Sequence, residues 1–220
     1  PGFSLSSSSA ASDGYRGQAY AAAGLLTPLG ESLHCEPNIV SMGFESLRLW
    51  PDLLDSLDEY TLFQQAGTIM VSHEQDKGDY QRFVRHLNKN YPEHERRSLD
   101  RAKLLELEPE IGRSFNQGLY LPQEGQIGNR RLLIALRKQL EKEGECSNGI
   151  NSLNWLSECQ VFAIEKAGFN SKVSYQQCGV ICSQSFDLVI DCRGTGASCK
   201  NSHSACVPLS DLRSVRGELF

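Results

Sequence analysis

The chain starts on Pro1-Gly2-Phe3, with no initiating Met and no basic stretch ahead of an apolar one. Ser4 and then four serines over residues 6–9 follow, too polar for the apolar heart of a secretion signal. Residues 1–14 therefore read as a flexible Ser-rich lead-in or the edge of a truncated chain. No apolar run approaches the roughly 20 residues of a bilayer-crossing helix, which points to a soluble, cytoplasmic protein without a membrane partner. Basic residues are in deficit: 22 Lys and Arg stand against 27 Asp and Glu, and the net charge of −5 argues against nucleic acid as a partner.

Eight cysteines are present, yet none forms a C-x-x-C pair, and seven of them lie from Cys146 onward. Cys178 and Cys182 stand without a second pair or a nearby His, so reduced thiols are expected and a zinc site is not. His34, His73, His86, His94 and His203 are scattered without ligand spacing. No catalytic triad, carboxylate pair or internal repeat stands out. Asp100, Glu106, Glu108 and Glu110 read as the solvated face of a helix.

What is there is an ordinary globular composition, 40% hydrophobic and 22% charged over 220 residues, enough chain to bury a substantial core. Val40, Phe44, Leu47, Trp50, Leu54 and Leu57 recur at helical spacing over residues 38–60, with Pro51 predicting a kink or a fresh start. Residues 63–72 read as one strand. Residues 75–89 read as a helix burying Tyr80, Phe83, Val84 and Leu87. Ser98 introduces a helix carrying Leu99, Ala102, Leu105 and Leu107, which must stop before Pro109.

Residues 118–122 form a short strand and 123–125 a turn. Asn129 caps a helix striped by Leu132, Leu133, Leu136 and Leu140 and closed by Gly144. Residues 160–165, 172–176 and 186–191 read as strands, the last running into Cys192-Arg193-Gly194-Thr195-Gly196-Ala197. A strand entering a Gly-rich turn is how an α/β sheet presents backbone to a nucleotide. By itself Gly194-x-Gly196 lacks the third glycine and the acidic partner of a dinucleotide fingerprint, and a tight turn explains it equally well. The mixed alternation predicts an α/β nucleotide-binding body interrupted by a smaller α+β insertion between about 61 and 125.

Four signals in order carry a resemblance. They are Ala21-Ala22-Ala23-Gly24-Leu25-Leu26-Thr27-Pro28; Glu45-Ser46-Leu47-Arg48-Leu49-Trp50; Gly118-Leu119-Tyr120-Leu121-Pro122 continuing to Asn129-Arg130-Arg131-Leu132; and Asp187-Leu188-Val189-Ile190-Asp191-Cys192-Arg193-Gly194 with Val215-Arg216-Gly217-Glu218. From about Tyr15 to Phe220 the chain resembles the flavin-dependent glycine oxidase and D-amino acid oxidase family, and most the thiamine-biosynthesis type of glycine oxidase. The resemblance implies an internal fragment: part of a Rossmann-like FAD-binding domain (15–60 and 126–220) interrupted by part of an α+β substrate domain (61–125). The N-terminal βαβ unit and the C-terminal part would be missing.

It also implies FAD as cofactor and a small amino acid as substrate, oxidised to an imine and then to keto acid, ammonia and peroxide. A homo-oligomer is compatible with it. Ala22, Ala23, Gly24 and Leu25 would contact the flavin ring, largely through backbone, and Gly24 with the alanines would let a flat ring approach. Leu25 stands where the family usually has Met, a volume-conserving change. The backbone of Val161 would pair with the adenine, which is compatible with a buried strand valine. Cys192, Arg193, Gly194 and Arg216 would lie near the flavin, although Arg216 fits a surface ion pair equally well.

Two departures qualify the resemblance. Family members open with a strand–Gly-x-Gly-x-x-Gly–helix unit that residues 1–14 do not contain. The carboxylate-clamping arginine, its neighbouring tyrosine and the last flavin loop lie downstream of Phe220. The alternatives to a working oxidase are a truncated or degenerate relative without activity, or another FAD amine dehydrogenase or RNA-modification flavoprotein module.

Overall fold

A computed structural model describes residues 3–6, 20, 22–146 and 153–192. They fall into two compact units, one made from the two ends of the chain (Pro1–Ala23 and Leu136–Phe220) and one from Gly24–Ala135. Residues 61–125 lie in the second unit together with residues 24–60 and 126–135.

The second unit is built on helix α1 (Pro37–Asp55), helix α2 (Lys77–Asn90) and two three-stranded antiparallel sheets. Pro37 opens α1, where its missing N–H has no ladder bond to lose. Val40 and Leu47 are buried along one face. Pro51 neither breaks nor restarts α1, which runs through it as one helix with the proline ring on the exposed side. In α2, Phe83 and Leu87 are buried and Tyr80 and Val84 half-buried, as the spacing predicts. They join Leu29, Val40, Tyr91, Leu119 and Leu121 in one apolar core. Burying a side chain such as Leu87 or Leu121 fully contributes about 1.5–3 kcal/mol.

The strand expected over 63–72 is two strands in different sheets, β3 (Phe63–Gln64) and β4 (Thr68–Val71). Gly67 divides them: its φ is +84°, and the ring of Tyr120 fills the space where a side chain would go. A non-glycine residue there would be both strained and in collision. Strands β5 (Arg97–Asp100) and β6 (Gln117–Leu121) complete one sheet in the order β4-β6-β5. Leu99 therefore belongs to a strand, and helix α3 spans Arg101–Leu107. Its cap is Asp100, whose carboxylate accepts from the Lys103 N–H at 2.9 Å, in place of the expected Ser98. The residue α3 buries is Leu104, while Leu105 and Leu107 are exposed.

The other sheet has the order β2-β7-β3, with β2 at Leu25–Leu26 and β7 at Gly125–Ile127. Neither β2 nor β7 is predicted by the sequence pattern. Helix α4 (Asn129–Cys146) follows β7 and crosses from one unit into the other. Asn129 is its first residue, and the Leu132 N–H already bonds the Gly128 carbonyl at 2.9 Å. Gly144 does not end the helix; a Cβ there would come within 2.9 Å of the Leu153 side chain, so close packing explains that glycine.

In the first unit, β1 (Phe3–Ser6) pairs in parallel with β8 (Leu153–Leu156), so four of the residues read as lead-in form a strand. A meander follows: β9 (Cys159–Ala167), β10 (Asn170–Gln177) and β11 (Val180–Phe186). Its two hairpins use two-residue turns. Cys178 and Gly179 both have positive φ (50° and 80°), as a type I′ turn requires, and Gly168 takes φ 67° at the first position of the other. The strand expected at 186–191 is displaced. The ladder takes Val180–Phe186, and residues 187–192 follow it as irregular chain. An apolar run becomes a buried strand only with partners on both sides. Among the described residues none pairs with it, and Leu188 and Ile190 stay exposed.

Candidate functional site

The feature with most chemical content is the edge of the β2-β7-β3 sheet. Leu25 faces Gln126 and Leu26 faces Gly125, while the Ile127 N–H donates to the Gly24 carbonyl at 2.8 Å. Gly24 has φ +74°, and a Cβ on it would lie 2.1 Å from the Ile127 carbonyl oxygen. The chain's own β7 thus demands this glycine, whatever else approaches it. Side chains alternate across the pleat. Gly125 and Ile127 turn inward, while Leu25, Gln126 and Gln64 share the exposed face. There the Gln126 Nε2 donates to the Gln64 Oε1 at 2.7 Å. Among the described residues strand β2 pairs with β7 alone, so its outer edge lies outside the ladder.

Immediately before β7 stands Glu124, with none of its surface exposed. Its Oε1 accepts from the Leu29 N–H at 2.8 Å and the Gly30 N–H at 2.9 Å, across more than 90 residues of sequence. Burial pushes its carboxyl up from the ordinary value. The amides of Gly30 and Leu29 and the Thr68 hydroxyl oppose this without overcoming it, and Glu31 adds to the rise. No sequence signal pointed to Glu124. Glutamate is rarely fully buried, and here it sits in a turn-like Gln-Glu-Gly stretch.

The remaining sequence-predicted residues fall on other segments of the chain or outside the described residues. Ala22 and Ala23 are exposed at the end of the first unit's N-terminal segment. Val161 is half-buried on β9, the edge strand of the meander, beside a register shift where Phe162 is passed over. Its outer backbone edge lies outside the meander's ladder. Cys192 is exposed. Ala21, Arg193, Gly194 and Arg216 lie outside the described residues. Within one unit the structure brings together Gly24 and Leu25, which share β7 as partner.

Of the acidic stretch, Glu106, Glu108 and Glu110 are exposed, while Asp100 has its capping task. Cys159 is buried, and that burial, followed by Cys178 and Cys182, pushes its thiol up and away from the reactive thiolate. Among the described residues no group of His, Cys, Asp or Glu is placed to hold a metal, and no helix is long and apolar enough to cross a membrane.

The fold is mixed α/β, that of part of a Rossmann-like FAD-binding domain. Residues 9–220 match the family described as FAD dependent oxidoreductase (DAO), and the chain belongs to that family, whose cofactor is FAD. No curated protein matches it. Its fold is similar to that of glycine oxidase from Geobacillus kaustophilus, with a TM-score of 0.59 and 20% identity, covering 81% of this chain and 46% of that one. For glycine oxidase from Bacillus cereus ATCC 14579 the TM-score is 0.52 and the identity 18%, covering 72% and 42%. For iminodiacetate oxidase (IdaA) from Chelativorans sp. BNC1 they are 0.54 and 13%, covering 78% and 44%. The chain thus spans less than half the length of each of these structures.

Proposed function

We propose that the chain is part of an FAD-dependent oxidase of glycine or another small amino acid or amine, serving thiamine biosynthesis. In the overall reaction the amine loses two electrons and two protons to become an imine. Water converts the imine to keto acid and ammonia, and dioxygen takes the two electrons and two protons to give hydrogen peroxide. The observation that carries this reading is the family match across residues 9–220.

When bound, FAD supplies the two-electron acceptor for such a reaction. What supports a flat ring against these residues is that Ala22 and Ala23 are small and exposed and that Leu25–Leu26 is the edge strand of its sheet among the described residues. Ala22, Ala23, Gly24 and Leu25 would hold the ring mainly through main-chain atoms. N–H groups at such an edge stabilise negative charge at an adjacent ring edge. Val161, on β9, an edge strand among the described residues, would offer its outer backbone side to the adenine. Cys192, Arg193, Gly194 and Arg216 would complete the flavin surroundings.

The fold likeness to iminodiacetate oxidase favours a second reading, in which the substrate is a secondary amine. Purified protein containing this chain should be yellow and release peroxide on glycine. Release on N-substituted glycines alone would favour the second reading. Protein that stays colourless with added FAD would refute both and leave a degenerate relative.

A further inference from the structure

We propose that Glu124 is the positioning residue of the flavin-facing strand, a buried cap that fixes where β2 lies. This rests on the reading of Gly24–Leu26 as that strand. Residues 27–35 form a series of tight turns: the Glu31 N–H bonds the Thr27 carbonyl, Ser32 bonds Leu29, and His34 bonds Glu31. As at the start of a helix, the first N–H groups of such a series have no partner inside it. Here those groups belong to Leu29 and Gly30, and Leu29 is only 1% exposed, so water is a poor substitute. One oxygen of Glu124 satisfies both.

The same residue is tied to the sheet by its own backbone. Its carbonyl accepts from the Gly67 N–H at 2.9 Å, and its N–H donates to the Leu121 carbonyl at 3.4 Å. Strand β7 begins at the next residue and holds Gly24, Leu25 and Leu26. Glu124 and the strand that begins at the next residue therefore hold both ends of the segment 24–30 from one stretch of chain. Besides the carboxyl oxygen, a two-residue ladder and the Gly24–Ile127 bond hold the segment in that sheet. A single interior acceptor thus sets the height of the backbone on which the ring would rest. Glu124 touches neither ring nor substrate; it acts through β2.

The test uses the FAD-loaded protein containing the full chain, as wild type, Glu124→Gln, Glu124→Ala and Glu124→Asp. Backbone amide exchange, FAD affinity and the visible flavin spectrum are measured for each. Gln keeps size and a carbonyl acceptor, so it should leave Leu29 and Gly30 protected and the flavin spectrum in place. Ala leaves two buried donors without an acceptor, so their exchange should accelerate roughly tenfold to a hundredfold. FAD should then bind about tenfold more weakly with a displaced flavin band, while exchange in the β9–β11 meander is unchanged.

If Ala does not fold, Asp, one methylene short of the two amides, should give the same pattern in milder form. Wild-type exchange at Leu29 and Gly30 in both the Ala and Asp variants would overturn the proposal. So would freed amides beside an unaltered flavin spectrum and affinity. Wild-type protein that takes up no FAD would refute the flavin reading itself; exchange at Leu29 and Gly30 would still show whether Glu124 fixes the segment.

Discussion

The β9–β11 meander and the β2-β7-β3 sheet are both three-stranded and antiparallel, and they are held by opposite means. In the meander each strand pairs with its neighbour in sequence over seven or eight positions, and the connections are two-residue turns whose glycines supply the required positive φ. In the other sheet the strands are two or three residues long, and β2 and β7 are about 100 residues apart. The meander owes its form to local turn chemistry and ladder length. The short sheet depends on single atoms placed by distant parts of the chain: the Ile127 carbonyl against Gly24, and the Glu124 carboxyl against Leu29 and Gly30. A sheet of the second kind is where single substitutions should tell most.

The largest effect is expected from Gly24→Ala. It forces a side chain into a positive-φ position and into the Ile127 carbonyl, and should destabilise the Gly24–Ala135 unit by about 3 kcal/mol or more in denaturant titration. A loss below about 1 kcal/mol would mean that the short sheet yields more easily than its contacts imply. Next comes Leu87→Ala, which empties a site with no exposed surface and should remove about 2–5 kcal/mol. Amide exchange in the meander should be untouched by it, and slowing or loss of protection there would abolish the contrast between the two units.

The third effect is one of pH. Glu124 has its carboxyl raised above 4.5 in the fold, so the neutral form is favoured there. Its contribution to stability is fully present below 4.5 and declines as pH rises from 4.5 through the raised value. Subtracting the stability curve of Glu124→Gln from that of the wild type isolates this decline, and a flat difference would show that the buried carboxyl is not so perturbed. The smallest effect belongs to the meander. Cys178→Asn, at a φ of 50° followed by Gly179, gives the turn its preferred Asn-Gly pair and should raise stability by about 0.5–1 kcal/mol in thermal unfolding.

The same contrast explains what could be read from the sequence. Helices α1 and α2 were legible because Val40, Leu47, Phe83 and Leu87 recur every three or four residues, and strand β6 because turn residues bound it. The flavin-oxidase family was legible from motif order, and the match over residues 9–220 agrees with it. Pro51 brings no fresh start because a proline on an exposed helix face sacrifices one bond without ending the helix. Strands β2, β3 and β7 are too short to show a period, and they exist only because partners meet them. The apolar run at 187–190 gave a strand signal, but pairing is a property of the sheet and the ladder ends at Phe186. Glu124 was invisible because a buried glutamate is identified by its surroundings, and residue type points the other way.

The parallel pairing of Phe3–Ser6 with Leu153–Leu156 bears on how the molecule is made. A ribosome emits roughly 5–20 residues per second, so β1 waits on the order of ten seconds or more for a partner roughly 150 residues away. The segment Gly24–Ala135, whose core residues all lie between those two strands, is complete well before then. An unpaired strand left exposed for that time is open to wrong partners, and serines alternating along Phe3–Ser6 lower its appetite for them. Slowing translation once residue 156 has emerged from the ribosome should therefore improve the yield of folded protein, whereas slowing it before residue 150 is made should not.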